Sequence, residues 1–233
     1  MIMKKIIKKI GNKYINQVCK REFERQRFKR FNERAVEYAF VFKHLANLYP
    51  SNILDVGTGT TALPSLMNSA GFLVTAIDNI VDYWKKEMVN RHFYVINDNI
   101  LSTKLTRQYE LITCVSVLEH INNFDFAMKN MTNLLNTGGY IIITFPYNEY
   151  EYNPNVYNES DASYGKNQPY ICQSFSSKEL ISWCETYNLE IIDQEYWQCF
   201  EGRLWTFGNQ IIPPKKVLKN EPHQLSCILF RKQ

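Results

Sequence analysis

The chain predicts an α/β fold: a mostly parallel sheet of seven strands flanked by helices, with a helical extension before it and a lid insertion after the fifth strand. Two observations carry that reading. An apolar strand, Ile53-Leu54-Asp55-Val56, runs into Gly57-Thr58-Gly59 and then into a helix-length segment. Polar residues also recur where each later apolar run ends, and the carboxyl ends of strands are where open α/β sheets bind ligands.

The elements follow in order. Residues 1–30 hold 11 Lys or Arg against two Glu, a net of +9 that leaves −5 for the rest of the +4 chain. Ile2, Ile6, Ile10, Tyr14 and Val18 recur at helical spacing, so this segment is a basic amphipathic helix. It is expected to dock by its apolar stripe, to join copies of the chain or to lie on an anionic membrane surface. Lysine pairs at 4–5 and 8–9 interrupt every apolar run before it reaches signal or membrane-span length, so the expected location is cytoplasmic. A second helix, Asn32 to Leu48, carries Arg34 and Tyr38 on one face and can cover whatever the sheet binds. The extension is bounded at residues 1–50 and the main domain at 51–233, a length that allows a full core.

Glycine tolerates backbone angles and close approaches that a Cβ forbids, so Gly57 and Gly59 let a ligand lie against main-chain amides. Leu63 to Ala70 supplies the following helix, with Pro64 in its first turn. Phe72 to Ile77 is the second strand, and Asp78 ends it 23 positions beyond Asp55, near the spacing at which an acid receives ribose hydroxyls. Asp55 can orient the loop or accept from a cationic amine. His92 to Ile96 leads to Asn97-Asp98-Asn99, where an adenine amino group could donate, and Tyr109 to Val115 leads to Ser116-Val117-Leu118-Glu119-His120. Asn136-Thr137-Gly138-Gly139 closes a helix before a fifth strand, Tyr140 to Phe145. At this point Gly57-Thr58-Gly59-Thr60-Thr61-Ala62 still fits a nicotinamide or flavin dinucleotide site equally well.

Residues Ile53 to Tyr147 resemble the class I S-adenosylmethionine-dependent methyltransferases, a Rossmann-like family, through ILDVGTGT, AIDN, INDN, SVLEHI and LLNTGGYIIITFP in the family's order. The resemblance implies S-adenosylmethionine as cofactor, with Gly57 and Gly59 facing its methionine part, Asp78 its ribose and Asp98 its adenine. The Ser116 backbone then lies near the methionine end. The full candidate set is Asp55, Gly57, Thr58, Gly59, Asp78, Asn79, Asp98, Asn99 and Ser116. Thr61 stands where the family often has a third glycine. No tyrosine is followed by Lys at the fourth position, which removes the Tyr-x-x-x-Lys pair of short-chain dehydrogenases and weakens the dinucleotide reading.

Methyl transfer needs an acceptor held in line with the methyl carbon, and a base only if the acceptor must lose a proton. His120 is the candidate base. Tyr147 to Tyr170 contains six tyrosines and four acids, and reads as a lid over about 147–175 whose Tyr147, Tyr150 and Asp161 contact substrate. A helix capped by Ser174 or Ser176, strand six (Leu189 to Trp197) and strand seven (Leu225 to Arg231) complete the fold. The link between those strands, from Gln198 to the stop at Pro213-Pro214, offers Arg203 as a further substrate contact.

The expected acceptor is a small polar molecule, methylated on oxygen and sugar-like or a surface-glycan precursor. N-methylation of a small amine, a nicotinamide-dependent oxidoreductase and a non-catalytic partner-binding protein are the alternatives. Nucleic-acid bases are disfavoured, because the Asp/Asn-Pro-Pro-aromatic motif after strand four is replaced by SVLEH. Six cysteines without a Cys-x-x-Cys pair suggest neither a disulfide framework nor a metal site.

Overall fold

A computed structural model describes residues 2–24, 32–81, 84 and 89–233; the side chains of Ile2 and Glu22 also lie outside the description, and with Ile2 goes one member of the predicted apolar stripe. The chain forms two compact units, Met1–Phe31 and Asn32–Gln233. The first contains helix α1 (Ile2–Glu24). The second begins well before the expected boundary at residue 51, because helix α2 (Arg34–Leu48) buries Phe40, Val41 and Leu45 against the sheet.

The second unit continues with β1 (Ile53–Val56), α3 (Leu63–Ser69), β2 (Val74–Asp78), β3 (Ile96–Asn97), β4 (Tyr109–Val115), α4 (Phe124–Asn133) and β5 (Leu135–Pro146). It ends with α5 (Ser177–Tyr187), β6 (Leu189–Phe200), β7 (Gln210–Val217) and β8 (Leu225–Lys232). The eight strands lie in the order β3-β2-β1-β4-β5-β8-β6-β7. The first five in that order pair in parallel, and β8, β6 and β7 continue the sheet antiparallel. The chain steps outward from β1 to β3 and returns to β4 on the other side of β1. That reversal opens a crevice at the carboxyl ends of β1 and β4.

Alternation along the central strands assigns the two faces. Ile141 and Ile143 pack with Met128, Met131, Leu180 and Trp183 of α4 and α5. Ile142 faces the other way, onto the cluster containing Phe40, Leu45 and Met67 of α2 and α3. Ser176 caps α5, accepting from the backbone of Lys178 while Glu179 accepts from the Ser176 backbone amide.

The eighth strand, β7, corrects the sequence expectation of seven. Its Pro213-Pro214 pair reads as a stop, yet β7 is the sheet edge and pairs only with β6, so a missing N–H need not break a ladder. The registered pairs Phe200↔Gln210 and Gln198↔Lys215 leave the prolines in an irregular stretch between them. For the same reason β6 extends through Gln198-Cys199-Phe200, the expected start of the link. The third strand shrinks to two residues, paired at Ile77↔Ile96 and Asp78↔Asn97.

The 147–175 segment has a core of its own. Val156, Tyr157, Ala162 and Cys172 pack with Cys199, Phe200, Leu204, Trp205 and Phe207, and Val36 of α2 joins them. Its two ends are tied to each other by bridges Tyr147↔Phe175 and Asn153↔Ser174.

One buried group fastens α2 to the sheet. Oε1 of Glu37, a fully buried residue, accepts from Ser116 Oγ and Thr144 Oγ1, both at 2.6 Å, and Oε2 accepts from Arg34 Nη1 at 2.9 Å. Replacing it strands those donors. Glu37→Ala is expected to lower unfolding free energy by about 2–4 kcal/mol in urea titrations; a loss below about 1 kcal/mol would show that the clasp is not structural.

Candidate active site

The crevice holds a cavity of about 530 Å³ and, beside it, a smaller compartment of about 180 Å³. They share Val56, Gly57, Gly59 and Ser116 as a dividing wall. Two side chains fix the glycine loop that forms this wall. The Gly59 amide donates to Asp78 Oδ2 at 2.6 Å, and Asn90 Nδ2 donates to the carbonyls of Gly59 and Thr61 at 2.9 Å each. Gly57 and Gly59 both hold positive φ, +73° and +56°. A Cβ on Gly57 would meet the methyls of Val117 at 2.4 Å, whereas one on Gly59 would meet nothing within 4 Å. Gly59 therefore borders open space against which a ligand can lie.

Asp55, next to last in β1, is buried. It accepts from Thr113 Oγ1 at 2.6 Å and Thr58 Oγ1 at 2.7 Å, so it shapes the loop from beneath and lines only the smaller compartment. Burial pushes its pKa up to about 6, against the lowering effect of the two hydroxyls. Arg34 and Tyr38 of α2 close the same compartment. Burial works against the Arg34 charge, but the Glu37 and Glu33 carboxylates hold its pKa above the ordinary value. A guanidinium opposite a carboxylate and an amide loop suits the zwitterionic end of an amino acid.

Asp78, Asn79, Asp98 and Asn99 line one end of the larger cavity, with Ile100 and Leu101 as its apolar side. Asp98 is held in place by Thr103 Oγ1 at 2.7 Å and by the Asn99 and Lys104 amides. This end offers carboxylates for hydroxyls and an apolar slot for a flat base. A nucleoside fits it, and the amino-acid compartment across the glycine wall fits the remainder of S-adenosylmethionine.

The other end is built after β4. Ser116 adopts a left-handed conformation, φ +50°, uncommon away from glycine. It is over-determined: its amide donates to the carbonyl and Oγ1 of Thr144 at 3.0 and 3.1 Å, and its hydroxyl to Glu37. The chain then makes a single 3₁₀ turn, Leu118–His120. His120 lines the cavity together with Val117, Ile121, Asn122, Asn123 and Tyr170. Its Nδ1 lies 2.6 Å from the Ile171 carbonyl, an acceptor, so Nδ1 carries the proton and Nε2 is the basic nitrogen. Burial lowers the His120 pKa despite that bond, and the Tyr170 ring meets the imidazole edge-on at 4.6 Å. Glu119 is buried beside it, with Oε1 3.8 Å from His120 Nε2 and Oε2 unpartnered among the described residues. Burial raises the Glu119 carboxyl to about 8, so it is protonated at neutral pH.

The structure thus gathers Gly57, Gly59, Asp78, Asn79, Asp98, Asn99, Ser116 and His120 around one cavity, and sets Asp55 and Thr58 under its floor. It separates the four expected substrate contacts from it. Tyr147 is buried, donates to Glu149 Oε2 at 2.9 Å and stacks on His223. Tyr150 is exposed on another surface beside Lys219. Asp161 is an exposed residue accepting from Ser160, and Arg203 pairs with Glu151 at 2.7 Å in solvent. The cause is the insertion's own core, which turns most of its polar residues outward. Only its far end reaches the cavity, through Tyr170. Sequence reasoning also missed Trp84, Asn90 and Glu37. Of these, Glu37 had a readable signal, three positions after Arg34 on the same helical face.

A family model described as a methyltransferase domain matches residues 23–194. The chain belongs to this methyltransferase family. Among curated relatives, a ubiquinone biosynthesis O-methyltransferase of Coxiella burnetii is 26% identical over 153 residues, 61% of this chain and 64% of that protein. One of Rickettsia typhi is 26% identical over 122 residues, 49% of this chain and 50% of that protein. The chain therefore spans less than two thirds of the curated relatives it matches. Among solved structures, TehB from Haemophilus influenzae aligns with a TM-score of 0.55 at 19% identity, covering 84% of this chain and 62% of that one. The N-methyltransferase NodS from Bradyrhizobium japonicum, in complex with S-adenosylhomocysteine, gives 0.53 at 17%, covering 86% and 87%. These structures show the fold.

The Gly57 contact gives a specific expectation for this methyltransferase fold. Gly57→Ala should weaken S-adenosylhomocysteine binding by about tenfold or more in calorimetric titration, through the Val117 clash and the positive φ. Adding Val117→Ala should recover part of the loss. Undiminished affinity in the single variant would mean that the loop is free to move away from Val117.

Proposed function

We propose that this chain transfers the methyl group of S-adenosylmethionine to a hydroxyl on a small molecule seated beside His120 and Tyr170. The observation that carries the proposal is the His120 tautomer. With its proton committed to the Ile171 carbonyl through Nδ1, the imidazole of this cavity-lining residue keeps Nε2 as its basic nitrogen.

Bound S-adenosylmethionine supplies an electrophilic methyl carbon on a sulfonium whose departure leaves a neutral thioether. The chain's residues hold and orient it: Asp78 for the ribose hydroxyls, Asp98 and Asn99 for the adenine edge, and the Gly57–Gly59 loop with the Ser116 backbone for the methionine portion. Arg34 receives the carboxylate in the smaller compartment. His120 takes the acceptor hydroxyl's proton at Nε2 as the oxygen becomes nucleophilic. Glu119, 3.8 Å from Nε2, is held in its neutral acid form by burial and so adds no charge beside the imidazole.

The acceptor's character follows from the wall around His120. Tyr170, Trp84, Val117 and Ile121 favour an apolar or aromatic body bearing a hydroxyl. The sugar-like expectation rested on the tyrosines and acids of the insertion, and few of them face the cavity. Relatives named for O-methylation in ubiquinone biosynthesis support the same choice of acceptor atom.

Calorimetry with S-adenosylmethionine and S-adenosylhomocysteine should show binding of both; a folded protein that binds neither, or prefers NADH, overturns the proposal. On a panel of hydroxylated aromatic acceptors, His120→Ala should lower kcat by about 10²–10⁴-fold with cofactor affinity retained. Full turnover in that variant removes His120 from the mechanism. Because burial lowers the His120 pKa below 6.5, the base is neutral at pH 7, and activity should rise with pH through an acid limb centred below 6.5. A limb above 6.5 excludes His120 as the titrating group.

A further inference from the structure

The function proposed above makes no use of α1, and the chemistry of this helix points to a partner of its own. Met3, Ile6, Ile10 and Tyr14 follow one another at spacings of three and four residues, and Ile7 lies four after Met3 and three before Ile10, so the five form one stripe along the helix. Each is more than half exposed: 74%, 53%, 63%, 65% and 71%. Large aliphatic side chains in a continuous exposed stripe mark a binding face, unlike the same residues scattered singly. Lys4, Lys5, Lys8 and Lys9 occupy the opposite side, and Lys13 flanks the stripe.

The charge pattern selects among possible occupants. Five lysines fall between residues 4 and 13, and no acid precedes Glu22. The ion pair on this helix, Lys20–Glu24, lies at its far end, and the five lysines have no carboxylate partner among the described residues. A second copy of the same helix could cover the stripe but would leave the lysines of the opposite side unanswered, whereas a surface of anionic headgroups answers both faces at once. Among the described residues no helix is long and apolar enough to cross a membrane, so α1 would lie on a bilayer and not span it.

We propose that α1 is an interfacial anchor that seats its Met3–Tyr14 stripe among the acyl chains of an anionic phospholipid leaflet while its lysines engage the headgroups. The proposal is independent of catalysis, since vesicle binding requires neither cofactor nor acceptor.

The test is flotation of the full chain with phosphatidylcholine vesicles prepared with and without phosphatidylglycerol. Binding to the anionic vesicles should exceed binding to neutral ones by about tenfold or more and should fall at about 0.5 M salt. Helix content by circular dichroism should be retained on the vesicles. Ile6→Asp with Ile10→Asp, and separately Lys4, Lys5, Lys8 and Lys9→Gln, should each reduce binding about tenfold with melting temperature unchanged.

Three results would overturn it. Wild-type protein that does not float with anionic vesicles removes the membrane. Loss of binding in the lysine variant alone, with the isoleucine variant unaffected, means adsorption of a polycation without insertion. A concentration-dependent dimer in sedimentation velocity that the isoleucine variant abolishes, with no vesicle binding, assigns the stripe to a second copy of the chain.

Discussion

The carboxylate of Glu37 is the constraint on which the site depends. It lies fully buried where the carboxyl ends of β4 and β5 meet α2, and its three bonds each do something different. The bond from Thr144 locks α2 to the strand that bears the core. The one from Ser116 helps hold a non-glycine residue in the left-handed region, which turns the chain from β4 into the 3₁₀ turn carrying His120. The one from Arg34 sets a guanidinium over the glycine loop. A buried charge is costly unless it is paired, and here the pairing is also what shapes the cavity. Stability of the helix cover and geometry of the site are therefore set by the same atom group.

Much of this was legible in the sequence because the parallel half of the sheet is built from local rules. Ile53 to Val56, the Gly57–Gly59 turn and Asp78 are fixed by strand propensity, glycine's backbone freedom and the closeness of β1 to β2 in the chain. Asp98 and Ser116–His120 follow because each sits where a strand must end. The antiparallel half was harder. β7 carries two prolines, which propensity rules treat as a break, and only its position at the sheet edge makes them acceptable. The 147–175 segment was legible as an insertion but not in its orientation. Tyrosines serve equally as core and as pocket lining, and the partner cluster of Leu204, Trp205 and Phe207 comes from some forty residues later in the chain. Tyr147, Tyr150, Asp161 and Arg203 were assigned to the site on that ambiguity.

The buried pair Glu119–His120 shows why composition at a site needs structure before chemistry. In sequence the pair reads as a carboxylate next to a base. In the fold, burial moves the two groups in opposite directions, Glu119 toward the acid form and His120 toward the neutral form. At rest the turn after β4 is therefore free of net charge, which suits a cavity that admits a cationic sulfonium.

Gln173 links the turn after β4 to the insertion. Its side-chain amide points at the carbonyls of Ile121, Glu119 and Leu118 at 2.9, 3.2 and 3.4 Å, its backbone amide donates to Glu119 O, and Tyr152 donates to its Oε1. Two residues away, the Ile171 carbonyl orients the His120 ring. The segment whose Tyr170 lines the cavity thus also serves as the splint for the turn that carries His120. The shape of this cavity wall and the position of His120 cannot drift separately in such an arrangement: an insertion exchanged for another of different shape would arrive without the hydrogen-bond template that holds His120. The segment is a mould for the turn and not an exchangeable cassette.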